Sequence, residues 1–260
     1  MKKTLYPFLA LVFGTAGYIL RARQLSEAVD PDTGLLLLNH PATYALLGLT
    51  AGAALVLLIL CLSVSNEAQN WYSAFHADSL LPQLFSYAGA IGFGVSTALI
   101  GHLLFLSGLP QSLLAMPFQS FFGLLMLFAC LAAFFITVRN GDSGSSSLAP
   151  LLPGFTCCVW LVLTYHGNAS NPSVLAFAWQ LLAVISACMA WYYTSGFAFQ
   201  HPHPRRTAFF SLLTVSLCVT AIADRTELYQ QVLLAATALW FLGRSVLFLD
   251  NAQYSGKRTG

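Results

Sequence analysis

Apolar residues run through this chain in long stretches separated by short polar breaks, the pattern of helices that cross a bilayer. A spanning helix needs about 20 mostly apolar residues. That criterion predicts eight, near residues 4–22, 41–63, 82–108, 112–138, 150–166, 173–197, 207–223 and 230–249. The shortest, 150–166, opens with Pro150 and Pro153. Lys2 and Lys3 precede the first apolar core, as in a signal peptide. However, no small-residue cleavage site follows it, and Arg21 and Arg23 come next, so it reads as a retained anchor. The expected fold class is an all-α integral membrane protein. One transmembrane domain covers residues 1–260, an eight-helix bundle with a short outer-face hairpin.

The breaks carry less information. Asp30-Pro31-Asp32-Thr33-Gly34 lies between Ala28-Val29 and four leucines, Leu35 to Leu38. Proline fixes φ early in a turn and glycine accepts positive φ at its end, so the segment reads as a tight hairpin capping the first two helices. In the loop 64–81, Trp71 and Phe75 stand one helical turn apart, which fits a short interfacial helix or an ordered loop equally. Residues 140–148 form a flexible Gly/Ser linker.

Composition narrows the class. Of 260 residues, 57% are hydrophobic and 8% charged, against about 25% charged in an average soluble domain. The mean hydropathy is +0.72. A formal charge of +2 without a basic run gives no footprint for nucleic acid. No polar stretch is long enough for a separate catalytic domain. With eight crossings, Lys2, Lys3, Arg139, Arg205, Arg206, Lys257 and Arg258 collect on one side, and only Arg21, Arg23 and Arg225 on the other. The Lys/Arg bias therefore puts both termini in the cytoplasm, with Arg244 snorkelling from the last span to the richer side. Tyr18, Tyr44, Tyr165 and Tyr229 near the outer helix ends, and Trp191 to Tyr193 near an inner end, suit the headgroup level.

The stretch DPDTGLLLLNHPAT, leading into the second span, resembles the opening of multi-span membrane proteins from clostridia-like bacteria. The resemblance covers about the first sixty residues. It implies a bacterial plasma membrane and no particular activity.

Candidate chemistry begins with polar residues at membrane depth, because helices in hydrocarbon associate through small residues and turn polar side chains inward. Gly48 and Gly52 suggest packing in the second span. Ala90, Gly94 and Ala98 form a four-residue stripe in the third, and the next position on it is His102. Gln119 shares a stripe with Gly123 in the fourth span, and Gln180 shares one with Ala183 and Ala187 in the sixth. His102, Gln119 and Gln180 all fall roughly 10 Å below the outer helix ends. With Tyr165 and Arg21 near the mouth, they form a candidate ligand-binding set lining an outward-open polar cavity. The bland alternative is interhelical hydrogen bonding, worth about 0.6 kcal/mol each.

Other chemistry is poorly supported. The six cysteines lie in apolar runs and match no zinc spacing. In His201-Pro202-His203-Pro204-Arg205-Arg206 the prolines forbid an i, i+4 metal pair, leaving a basic loop on anionic lipid. His102 and His166 differ in depth, which opposes haem ligation. The segments 14–17 and 92–94 read as packing glycines, and Asn168-Ala169-Ser170 as a turn. No catalytic residues, metal or cofactor are expected. The expected function is non-enzymatic, the binding of a small-molecule ligand or membrane-protein partner at the outer face by a sensor or accessory subunit. The alternative is a small-solute transporter, to which Pro117 breaking the fourth span near Gln119 would contribute.

Overall fold

The structure, a computed structural model, describes residues 2–30, 35–37, 39–64, 70–77, 79–105, 115–139, 148–169, 173–224 and 226–255. The described residues are almost wholly helical. The helices are α1 (Lys2–Glu27), α2 (Pro41–Leu62), the short α3 (Trp71–Phe75), α4 (Leu80–Phe105), α5 (Ala115–Val138), α6 (Leu151–Gly167), α7 (Ala178–Ala198), α8 (Pro204–Ala221) and α9 (Leu228–Ser255). A 3₁₀ turn, Val174–Ala176, precedes α7.

Six of these helices (α1, α2, α4, α5, α7 and α9) are long and apolar enough to cross a membrane. They mark the chain as a multi-pass α-helical membrane protein. At 17 residues α6 is apolar but short. The 18-residue α8 begins Pro204-Arg205-Arg206 and is rich in Ser and Thr. Those hydroxyls bond back to their own helix, Thr214 to Phe210 O at 2.7 Å and Thr220 to Ser216 O at 2.9 Å. Backbone acceptors thus let a polar sequence be buried, and α8 packs inside the bundle against α1, α7 and α9.

Consecutive long helices run antiparallel. The Tyr6 and Ser63 hydroxyls meet at 2.9 Å at one end of α1 and α2, and Gln24 reaches Thr43 at 2.9 Å at the other. The bundle therefore has an N-terminal face, where α1 begins, and a distal face, which carries the α1–α2, α6–α7 and α8–α9 connections. At the centre lies α9, 78% of whose spanning stretch is buried, against 22% for α2. Glycines allow its closest approach to α4: a Cβ on Gly89 would meet the backbone N of Trp240 at 2.7 Å, and one on Gly243 would collide with Pro82 O and sit 2.9 Å from Ser86 N. The glycines of 14–17 act likewise, Gly14 and Gly17 lying against Ser216, Val219 and Thr220 of α8. Mid-bundle, the rings of Trp191 and Trp240 approach to 4.0 Å, with Phe241 edge-on to both.

Several expectations need correction. The first helix runs past residue 22 to Glu27, because Arg21 and Gln24 find buried partners instead of ending the helix in water. Gly48 and Gly52 face outward with nothing near a Cβ, and α2 packs through Leu46, Ala53, Leu57 and Cys61. Trp191 is a core ring, not an interfacial one, while Tyr192, about 100° further round the helix, is exposed. Whether Pro117 interrupts its span turns on residues 106–114, which lie outside the described residues. It sits in the first described turn of α5, where a missing N–H costs little. Around the expected hairpin, Val29 and Leu36 form an isolated antiparallel bridge, with Asp30 N to Leu35 O at 2.9 Å and Leu37 N to Ala28 O at 2.8 Å. The turn at Pro31–Gly34 lies outside the described residues.

Candidate functional site

Among the described residues, four of the five buried Arg, Gln and Asp side chains (Arg21, Gln24, Gln180 and Asp224) lie in the distal half of the bundle, and Arg21 is their anchor. Its side chain is 0% exposed. Nε donates to Asp224 Oδ1 at 2.6 Å, Nη1 to Gln24 Oε1 at 2.6 Å and Leu175 O at 3.4 Å, and Nη2 to Ala176 O at 2.5 Å. The guanidinium lies 4.8 Å from the centroid of Trp179. Gln24 passes the connection on to Thr43, whose hydroxyl donates to Leu37 O at 3.2 Å. One cation thus ties α1, α2, the 3₁₀ turn before α7 and the α8–α9 connection together, with every guanidinium nitrogen bonded. A buried charge is tolerated only when paired and hydrogen-bonded in this way. Arg21 is a clasp and not, as expected, a residue at the mouth of a cavity.

Asp224 is less completely served. Its Oδ2 is buried without a partner. Burial raises the carboxyl above its ordinary value of 3.8, against the pull of Arg21. Nearby in the same connection, the Thr226 hydroxyl is also buried and unpartnered.

Gln180 is buried on α7 and donates to Gln230 Oε1 at 3.0 Å. Gln230 in turn donates to the Tyr229 hydroxyl at 3.0 Å. Ser96 of α4 donates to Tyr229 O at 2.9 Å. On α6, Thr164 Oγ1 and Trp160 Nε1 are buried without partners, as is Trp179 Nε1 on α7. The register of α6 on α7 is set by Cys158 and Cys188, whose sulfurs are 3.5 Å apart. From that level, Thr164 lies about 9 Å and Gln180 about 12 Å toward the distal face, so the two share one layer. Buried polar groups without partners are uncommon in folded proteins, and each calls for an explanation. Among the described residues five such atoms, on Trp160, Thr164, Trp179, Asp224 and Thr226, fall in the distal half, while Trp240 Nε1 and two nitrogens of Arg244 lie outside it.

The sequence-predicted set does not converge as a unit. Gln180 belongs to the buried layer and Arg21 to the clasp. Tyr165 is 64% exposed at the distal end of α6. His102 is exposed on α4, contrary to expectation. A four-residue stripe turns about 40° per step, so three steps from Ala90 carry it roughly 120° away from the helix interface. Ala90 and Gly94 do face Cys130 of α5, but Ala98 and His102 do not. The side chain of Gln119 lies outside the described residues, as does Arg225. Thr226, Gln230, Thr164 and Trp179 were missed. Their signal was weak, since hydroxyls and indoles are common in apolar helices.

Arg244 is the second intramembrane cation, and it does not snorkel. It is 3% exposed near the N-terminal end of the bundle, its guanidinium 5.1 Å from the Trp240 ring and 5.7 Å from Phe75. Among the described residues no three His, Cys, Asp or Glu side chains are grouped to hold a metal ion. Family models, curated proteins and solved structures contain no match to this chain.

Proposed function

We propose that the protein is a non-enzymatic, multi-pass plasma-membrane protein that binds a small polar ligand or a membrane-protein partner through its distal face, which faces outward. The seven-to-three division of Lys and Arg supports eight crossings with both termini cytoplasmic, α6 and α8 included. The observation that carries the binding reading is unused hydrogen-bonding capacity: Asp224 Oδ2, Thr226 Oγ1, Thr164 Oγ1 and the Trp160 and Trp179 N–H groups are buried on one side of the bundle without protein partners. A ligand or water entering between the ends of α6, α7 and α9 would satisfy donors and acceptors together. The Arg21 clasp holds those helix ends in fixed relation, which preorganises the layer.

The transport alternative has less support. A path would have to pass the Trp191–Trp240 contact, whose rings fill the bundle between the distal layer and Arg244. Cysteine accessibility tests the reading. Single Thr164→Cys and Thr226→Cys variants, in a background with the native cysteines replaced by Ser, should react with a charged, membrane-impermeant thiol reagent added to whole cells. A Ser186→Cys control, deeper in α7, should not. Protection of both positions from outside would sink the outward-open layer. Uptake of solutes by proteoliposomes would favour transport instead.

A further inference from the structure

The two buried arginines differ in one respect. Every nitrogen of the Arg21 guanidinium has an acceptor. On Arg244, Nε and Nη2 are buried with no partner among the described residues. Those two N–H groups share one edge of the guanidinium plane, the edge that receives the two oxygens of a carboxylate or phosphate side by side. Trp240 and Phe75 give the cation an aromatic seat, and Tyr87 is its titratable neighbour. Ring faces attract a cation but accept no in-plane N–H bond, so the fork stays open. An unpaired intramembrane charge is a functional pointer in its own right.

The surroundings indicate how an anion reaches it. Phe75 belongs to α3, five residues long, which lies across α9 at the N-terminal face. Asn251 tethers it there, donating to Ala74 O at 3.1 Å and His76 O at 2.8 Å. Arg205, which donates to Val64 O at 3.0 Å, and Arg206 are exposed at the same face, a cationic rim that draws in anions. Arg244 lies eight residues, about 12 Å, inside the end of the spanning stretch at Ala252. The bilayer itself offers headgroup phosphate beyond that end.

We infer that Arg244 is the seat of an anion site on the N-terminal face, taking a phosphate-type oxyanion through its Nε–Nη2 edge with α3 as its cover. This site is independent of the distal layer. Its chemistry is shared by the headgroup phosphate of an anionic phospholipid and by free phosphate.

The test uses the full chain, delipidated in a neutral detergent. Thermal unfolding is followed with phosphatidylglycerol against phosphatidylcholine, and with inorganic phosphate against chloride at equal ionic strength. Preferential stabilisation by phosphatidylglycerol identifies the lipid as the source, and preferential stabilisation by phosphate alone identifies the free ion. Either supports the site if Arg244→Lys, which keeps the charge but loses the fork, binds about tenfold more weakly, the loss expected for one charge-assisted hydrogen bond. Should that variant fail to fold, native mass spectrometry of the wild-type chain decides. One phosphatidylglycerol or phosphate retained against excess phosphatidylcholine and chloride is expected. Equal stabilisation of wild type and Arg244→Lys, or no retained anion, overturns the proposal. An acidic segment of another protein filling the fork would also overturn it, and would show as a co-purifying chain.

Discussion

Arg21 on α1 and Asp224 in the α8–α9 connection stand 203 residues apart in sequence and 2.6 Å apart in space, both buried. Their pairing closes the distal end of the bundle across its two most separated helices in chain order. Because Arg21 also serves Gln24 and two carbonyls before α7, removing either charge leaves several groups unserved at once. Arg21→Met or Asp224→Ala alone should cost about 3–5 kcal/mol of stability, the usual penalty for stranding one half of a buried pair. The double replacement Arg21→Met/Asp224→Leu should recover most of it. Thermal unfolding in detergent measures all three. Equal losses in single and double variants would show that the carbonyl bonds, not the ion pair, hold the clasp.

Gly243 and Gly48 make a second contrast. A Cβ at Gly243 meets backbone atoms of α4, which cannot move aside as a side chain would, whereas at Gly48 nothing lies within 4 Å. Gly243→Ala should lower stability by about 1–3 kcal/mol through overpacking. Gly48→Ala should be neutral or slightly stabilising, since alanine is the better helix former. The same melting assay distinguishes them, and a neutral Gly243→Ala would contradict the α4–α9 contact.

The limits of sequence reading follow from these geometries. Six of the eight apolar runs coincide with helices long and apolar enough to cross a membrane, because run length and helix rise are properties of one segment. Packing faces were harder to read. Spacing of four residues suggested a straight stripe from Ala90 to His102, yet the helix turns the stripe off its interface after Gly94. Gly48 and Gly52 showed the opposite failure, small residues with no neighbour to admit. The Arg21–Asp224 pair was illegible in principle, as nothing local in either segment names a partner 203 residues away. Gln180 could be placed from its small neighbours, but the layer around it depends on how α6, α7 and α9 dock. Arg244 was assigned to the surface because its sequence neighbourhood allows snorkelling. Only the position of α3 shows that Phe75 covers it.

Cys158 and Cys188 offer a direct check on α6 against α7. Their sulfurs are 3.5 Å apart, and Cys158 is exposed. Copper phenanthroline, an apolar oxidant, should join them, giving a loss of two hydrogens on the peptide carrying both, reversed by dithiothreitol. Cys158→Ser should abolish the product. Cys157, buried next to it, should not substitute. A Cys157-linked product would mean that α6 is rotated by about 100° from its described setting.

Orientation is open to reporter fusions. Alkaline phosphatase or green fluorescent protein placed after Gly260 and within residues 140–148 should both report the cytoplasm, as the Lys/Arg division requires. A periplasmic signal from the first fusion alone would mean an odd number of crossings, with α6 or α8 failing to span. The distal layer would keep its geometry but lose its outward address.

The last prediction concerns the orphan polar atoms of the distal layer. If Thr164 Oγ1 and the Trp160 and Trp179 N–H groups are simply buried without partners, each carries an uncompensated desolvation cost of about 1–3 kcal/mol. Removing the group while keeping its shape would then stabilise the protein. Thr164→Val and Trp160→Phe would each raise the melting temperature by roughly a few degrees. If instead water or a ligand enters from the distal face and serves these groups, the same replacements gain nothing. The binding reading therefore expects unchanged or slightly lower melting temperatures for Thr164→Val and Trp160→Phe. Trp179→Phe is a harsher case, because Trp179 also supports the Arg21 guanidinium, and it should lose stability on either view. Gln180→Leu completes the set. Its bond to Gln230 is satisfied within the protein, so its loss should be modest, about 0.6 kcal/mol for an interhelical bond. A clear rise for both Thr164→Val and Trp160→Phe would leave the layer as badly packed polarity, and the binding function without its foundation.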